Sequence, residues 1–82
     1  MVVWNHRLHL ADVFRREDMP FEQRRDEIVR RIRSAKFYDP ESYTLPDLVE
    51  ELEATADAGD FDQVWDAFYD WADVHRVWVE TF

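Results

Sequence analysis

Asp60-Phe-Asp-Gln-Val-Trp-Asp-Ala-Phe-Tyr-Asp-Trp-Ala-Asp-Val-His-Arg-Val-Trp-Val-Glu-Thr-Phe82 is the stretch that decides the fold. Phe61, Val64, Trp65, Phe68, Ala72 and His75 recur at the spacing of one helical face. Asp62, Asp66, Asp70 and Asp73 recur at the same period on the other side. At about 100° per residue these four carboxylates fall within a sector of roughly 80°. The pattern predicts a helix over 61–75, aromatic on one side and anionic on the other. The tail after it, Arg76–Phe82, is β-branched and aromatic, a composition that suits a strand.

Upstream, Ala58-Gly59 reads as a helix end with Gly59 as a left-handed cap, and Asp60 as the cap of the helix that follows. Thr44-Leu-Pro-Asp47 opens the preceding helix, with a hydroxyl three residues before an acid and Pro46 in the first turn. Leu45, Leu48, Val49, Leu52 and Ala56 form its stripe, which predicts a helix over 45–57 with Glu50, Glu51, Glu53 and Asp57 outside it. Lys36–Tyr43 is an irregular connector: Asp39-Pro40 and Ser42 form turns, and Phe37, Tyr38 and Tyr43 are expected to fold back onto the core.

Before the connector, Pro20 and Glu22 mark a helix start, and Phe21, Ile28, Ile32 and Ala35 give a helix over 20–35 with Val29 at the margin. Arg25 falls on that apolar stripe, where an arginine lays its stem along the core or meets a carboxylate. The first seventeen residues fit two patterns. Trp4, Leu8, Ala11 and Phe14 make a helical stripe that favours a helix over 5–16 capped by Asn5. Val2, Trp4, Leu8 and Leu10 also alternate as in a strand, whose natural partner is the C-terminal tail.

These elements predict a single helical domain over 1–82, all-α, a small three- or four-helix bundle, with short strand pairing of the termini as the variant. Eighty-two residues have room for one core, and one Gly with three Pro argues against a many-turned β fold. Four Trp, three Tyr and six Phe supply that core and leave material for a contact surface. With no cysteine, a disulfide framework, a Cys-based zinc site and a thiol nucleophile are excluded. The N-terminus is too short and polar for a signal peptide, and no run approaches membrane-spanning length. The expectation is a soluble, cytoplasmic protein without a membrane role.

Charge is unevenly divided. Residues 1–38 carry nine basic and six acidic groups, net +3, whereas 39–82 carry one basic and thirteen acidic groups, net −12. Either the halves pair within the fold, or the acidic half faces a basic partner. The row Asp62, Asp66, Asp70 and Asp73 is spaced at about 5–6 Å, similar to phosphates along a nucleic-acid strand. It is also an ordinary solvated helix face, self-repelling by a few tenths of a kcal/mol per pair unless the arginines of residues 24–33 neutralise it. Trp65 and Phe68 belong to the core. Trp71, at the stripe's edge, and Trp78, in the tail, are the tryptophans expected to face outward.

Other chemistry has little support. His6 and His9 are spaced for two metal ligands on a helix face but lack a second pair, and His75 on the aromatic stripe reads as a hydrogen-bonded core residue. The acids around Asp57–Asp62 lack the spacing of a calcium loop. There is no Gly-rich phosphate loop and no His–acid pair within a motif, so the chain is read as a non-enzyme without metal or cofactor. A net charge of −9 disfavours direct nucleic-acid binding, with the Arg24–Arg33 cluster, diluted by Asp26 and Glu27, as the only counter-signal.

Val3-Trp-Asn-His-Arg, the Phe21-Glu-Gln-Arg-Arg-Asp-Glu-Ile-Val helix, and Phe61-Asp-Gln-Val-Trp-Asp with Arg76-Val-Trp-Val-Glu-Thr-Phe82 give the chain a further character. It resembles the small, acidic, Arg-over-Lys accessory proteins encoded by phages of actinobacteria. A salt-adapted archaeal origin explains the composition equally. The resemblance implies a non-structural phage protein in the bacterial cytoplasm that binds and redirects a host protein, and it carries no catalytic residue. The expected function is binding of a host or partner protein with a basic surface through Asp62, Asp66, Asp70, Asp73, Trp71 and Trp78. The alternatives are a DNA mimic that blocks a nucleic-acid-binding protein and a self-associating module with an aromatic homodimer interface.

Overall fold

A tail built of Val and Trp leaves its backbone groups unsatisfied unless another strand pairs with it, and the alternating N-terminal segment supplies one. In the computed structural model, which describes residues 3–82, β1 (His6–His9) pairs in parallel with β2 (Val77–Glu80). The register sets His6 against Val77, Arg7 against Trp78, Leu8 against Val79 and His9 against Glu80. The ladder extends at both ends: Asn5 N–H donates to the Arg76 carbonyl at 2.8 Å, and Leu10 N–H to the Glu80 carbonyl at 2.9 Å.

Between the strands lie α1 (Ala11–Phe14), α2 (Phe21–Ser34), α3 (Leu45–Ala54) and α4 (Ala58–Val74). The expected helix over 5–16 is therefore corrected. Only one turn of it forms, and Asn5 precedes a strand instead of capping a helix. Pairing with a segment about seventy residues away wins because the strand conformation buries both Leu8 and Val77 in the core, at 5% and 2% exposure. Among the described residues the fold is four helices plus a two-stranded ribbon, not all-α.

Each element packs on the next along the chain, from α1 on α2 through α3 and α4 to β2, and β1 closes the circuit on β2. One buried cluster draws on all six elements: Leu8, Val13, Ile28, Ile32, Val49, Leu52, Phe68 and Val77 are among its members. Val29, expected at the margin, is fully inside it. Each large side chain so buried contributes about 1.5–3 kcal/mol by the transfer of apolar surface from water.

Two helix boundaries differ from expectation, and both differences move residues of interest. α3 ends at Ala54 and not near 57. Thr55 is extended and buried, its hydroxyl donates to the Leu52 carbonyl at 2.6 Å, and its own carbonyl accepts from Arg25 Nη1 at 2.6 Å. Arg25 thus takes the first of the two roles expected of an arginine on an apolar stripe, and its part-buried head meets a backbone carbonyl where a carboxylate was the alternative. Its stem is packed, and its head satisfies a carbonyl at the negative end of the α3 dipole. α4 in turn begins at Ala58, because Asp57 accepts a hydrogen bond from Asp60 N–H at 2.9 Å and caps it. Gly59 is accordingly a helical residue without positive φ, and neither it nor Asp60 is a cap.

Among the described residues the left-handed one is Arg76, with φ of 57°. It follows the α4 C-cap His75 and turns the chain out of the helix into β2. In the connector, Phe37 and Tyr38 pack on the core as expected, but Tyr43 is 94% exposed and does not.

Candidate functional site

α4 positions the acidic row. Its core face, Phe61, Trp65, Phe68 and Ala72, is buried, which fixes the rotation of the helix and turns Asp62, Asp66, Asp70 and Asp73 to solvent; all four are exposed. Among the described residues none of the four has an ion-pair partner.

The arginines of α2 are engaged elsewhere. Arg31 grips Asp12 with both terminal nitrogens, at 2.7 and 2.8 Å, and also bonds Glu27 and the His9 carbonyl. Arg30 pairs with Glu27, Arg25 with Asp26, Arg16 with Asp18 and Arg33 with Glu53. The hydrogen bonds from Arg31 hold the Asp12 carboxyl down, from its ordinary 3.8 to about 2. Glu27 is lowered by Arg30 and then Arg31, and Glu53 by Arg33. These acids are structural partners of the basic segment. The row on α4 is not.

The aromatic residues flank the row on two sides. On one side Trp71 is half-buried, with its ring 5.9 Å from Phe37, 6.0 Å from Phe68 and stacked on His75 at 4.3 Å. His75 is solvent-exposed and bonds the Trp71 carbonyl through Nδ1 at 2.8 Å, so it is hydrogen-bonded as expected but lies outside the core. Asp70 borders this flank together with Leu48 and Val74.

On the other side Trp78 is 43% exposed and meets Trp4 edge-to-face at 5.2 Å. Here Trp4, Tyr69, Trp78 and Phe82 surround a concavity of about 260 Å³ bordered by Asp73. Trp71 and Trp78, grouped together on sequence grounds, therefore belong to different flanks, and Asp70 and Asp73 divide between them in the same way. Trp4 is the residue that sequence reasoning missed at this site. It joins Trp78 only because β1 and β2 are parallel and in register, a pairing that local periodicity does not encode.

The ribbon's outer face carries Arg7, His9, Trp78 and Glu80. Glu80 meets His9 through Nδ1 and lies 3.9 Å from Arg7 Nε. His6 and His9, placed on a strand and not on a helix, point to opposite faces. His6 sits 5.8 Å from the Phe37 ring. Among the described residues no group of three or more His, Cys, Asp or Glu is placed to hold a metal ion, and no helix is long and apolar enough to cross a membrane. Compared with known proteins, the chain matches no protein-family model, no curated protein and no solved structure.

Proposed function

We propose that this chain is a non-enzymatic interaction protein that binds a partner with a basic surface, in the manner of a phage accessory protein acting on a host protein in the bacterial cytoplasm. The observation that carries the proposal is the contrast in charge pairing. Arg16, Arg25, Arg30, Arg31 and Arg33 are taken up by Asp12, Asp18, Asp26, Glu27 and Glu53, and Arg24 bonds the Arg16 carbonyl, while among the described residues Asp62, Asp66, Asp70 and Asp73 stand exposed without an ion-pair partner. An unneutralised row beside exposed indoles supplies long-range attraction and a desolvated anchor together.

The test is affinity capture from an actinobacterial lysate at low and at physiological salt. Wild-type protein is expected to retain a discrete basic protein, and the Asp62→Asn, Asp66→Asn, Asp70→Asn, Asp73→Asn quadruple variant to lose it. Retention of the same protein by the quadruple variant, or an empty wild-type capture, overturns the proposal. The exposure and one-turn spacing of the row also favour a second reading, a DNA mimic. That reading requires the captured protein to bind DNA and the wild-type chain to displace it.

A further inference from the structure

We infer that the concavity between Trp4, Tyr69, Trp78 and Phe82 is a cation-binding aromatic cage that takes an arginine side chain of a basic protein segment. The inference deepens the interaction proposal above and rests on it, because it names the chemistry the partner must present.

The concavity has a volume of about 260 Å³. That is below the ~300–1,000 Å³ of sites that enclose a drug-sized ligand, so the occupant has the size of a side chain. Ala72 and Val77 close the floor, at 1% and 2% exposure. Three of the four walls are pre-set, and Phe82, 94% exposed, is the open one. Trp78 is held edge-to-face by Trp4, and the Tyr69 hydroxyl lies 3.2 Å from Thr81 Oγ, which fixes that ring against β2. Little ordering is left for an incoming group to impose.

Electrostatics then selects the occupant. Aromatic faces carry negative potential and attract a cation, and the exposed Asp73 adds a full negative charge at the rim. A neutral apolar group leaves that carboxylate unused, and an anion is repelled by both. Among the described residues the chain places one cation over an aromatic ring, Arg25 over Phe21, and none over the four rings of this cage. Arg7, which faces Trp78 across the ribbon, borders the neighbouring cleft and leans toward Glu80. Guanidinium suits the site better than ammonium. Its plane stacks on an indole while its edge donates to a carboxylate, and it is more weakly hydrated.

The experiment follows the four indole N–H resonances of the intact chain during titration with an arginine–glycine repeat peptide. The lysine and citrulline counterparts of that peptide serve as controls. Trp4 and Trp78 are expected to shift and Trp65 to stay, with weaker binding of the lysine peptide and none of the citrulline peptide. Asp73→Asn and Trp78→Leu are each expected to weaken binding roughly tenfold. Phe82→Ala removes the outermost wall, 94% exposed and outside the core, and is expected to weaken binding without touching the fold.

Equal binding of the citrulline peptide, equal binding of the lysine peptide, or unchanged affinity in Asp73→Asn overturns the assignment. The two proposals fail separately. If lysate capture depends on Asp62 and Asp66 but ignores Trp78→Leu and Asp73→Asn, the cage is wrong and the interaction surface stands. If the arginine peptide shifts Trp4 and Trp78 while no protein is captured, the cage stands and the host-binding function falls.

Discussion

α2 and α4 are both amphipathic, both dense in charge and both packed on the same core, yet their charges have opposite fates. On α2 basic and acidic residues alternate within one or two turns, and α1 brings the Asp12 carboxylate, α3 the Glu53 carboxylate and β1 the His9 carbonyl alongside. Arg31 alone engages Asp12, Glu27 and the His9 carbonyl. On α4 every charge in the exposed row has one sign, and among the described residues no cation of the basic half forms an ion pair with it. Within the basic half Arg16, Arg25, Arg30 and Arg31 find acids of that same half, and Arg33–Glu53, Arg7–Glu80 and His9–Glu80 are its pairs to the acidic half among the described residues. A −12 segment beside a +3 segment is thus not an internal clamp. Overall charge balance therefore says little about pairing, which is decided by which acids lie within a side chain's reach.

If the charges of α2 are structural and those of α4 are not, substitutions in the two helices must differ in size and sign. The largest effect is expected from Arg25→Ala. It removes a part-buried charged donor from the Thr55 carbonyl, and loss of about 2 kcal/mol is expected in urea unfolding. Asp66→Ala in the same assay is expected to stay within about 0.5 kcal/mol of wild type.

Acid titration sharpens the contrast next. A carboxyl held below its ordinary value stabilises the folded state above that value and loses the contribution as it is protonated. For Asp12 the stabilisation is complete above 3.8 and disappears as the pH falls through about 2. Arg31→Gln is expected to return Asp12 to ordinary titration in carboxyl NMR and to remove that part of the acid limb. A lowered value persisting in Arg31→Gln breaks the comparison.

Neutralising the α4 row is expected to help folding. The quadruple Asp→Asn variant removes three like-charge contacts, each worth a few tenths of a kcal/mol, for a gain of up to about 1 kcal/mol. Asp73, in the last turn at the negative end of the helix dipole, should give the largest share. A variant less stable than wild type means that the row is paired in solution after all. The smallest effect belongs to the junction after α4. Arg76→Gly relieves a left-handed non-glycine residue but loosens the unfolded chain, leaving a net gain of a few tenths of a kcal/mol, whereas Arg76→Val is expected to destabilise.

Periodicity over 61–75 sufficed to predict α4, its buried Phe61, Trp65, Phe68 and Ala72, and the outward direction of its four aspartates, because burying one stripe fixes how a helix is rotated about its axis. The cores of α2 and α3 were legible for the same reason. Helix ends were less so: Gly59 carries a strong local stop signal, but a buried Thr55 bonded by Arg25 ends α3 sooner and leaves Asp57 to cap α4. The N-terminal segment satisfied helix and strand patterns together, and only the arrival of β2 beside it settled the matter. That pairing also set Trp4 against Trp78, separated Trp78 from Trp71, and closed the cavity beside Asp73. Composition and spacing determine which faces of this protein are greasy and which are anionic, since both depend on neighbours within a few turns. Which aromatics share a surface, and whether a carboxylate finds an arginine, depend on contacts between residues far apart in the chain, and only the tertiary structure decides them.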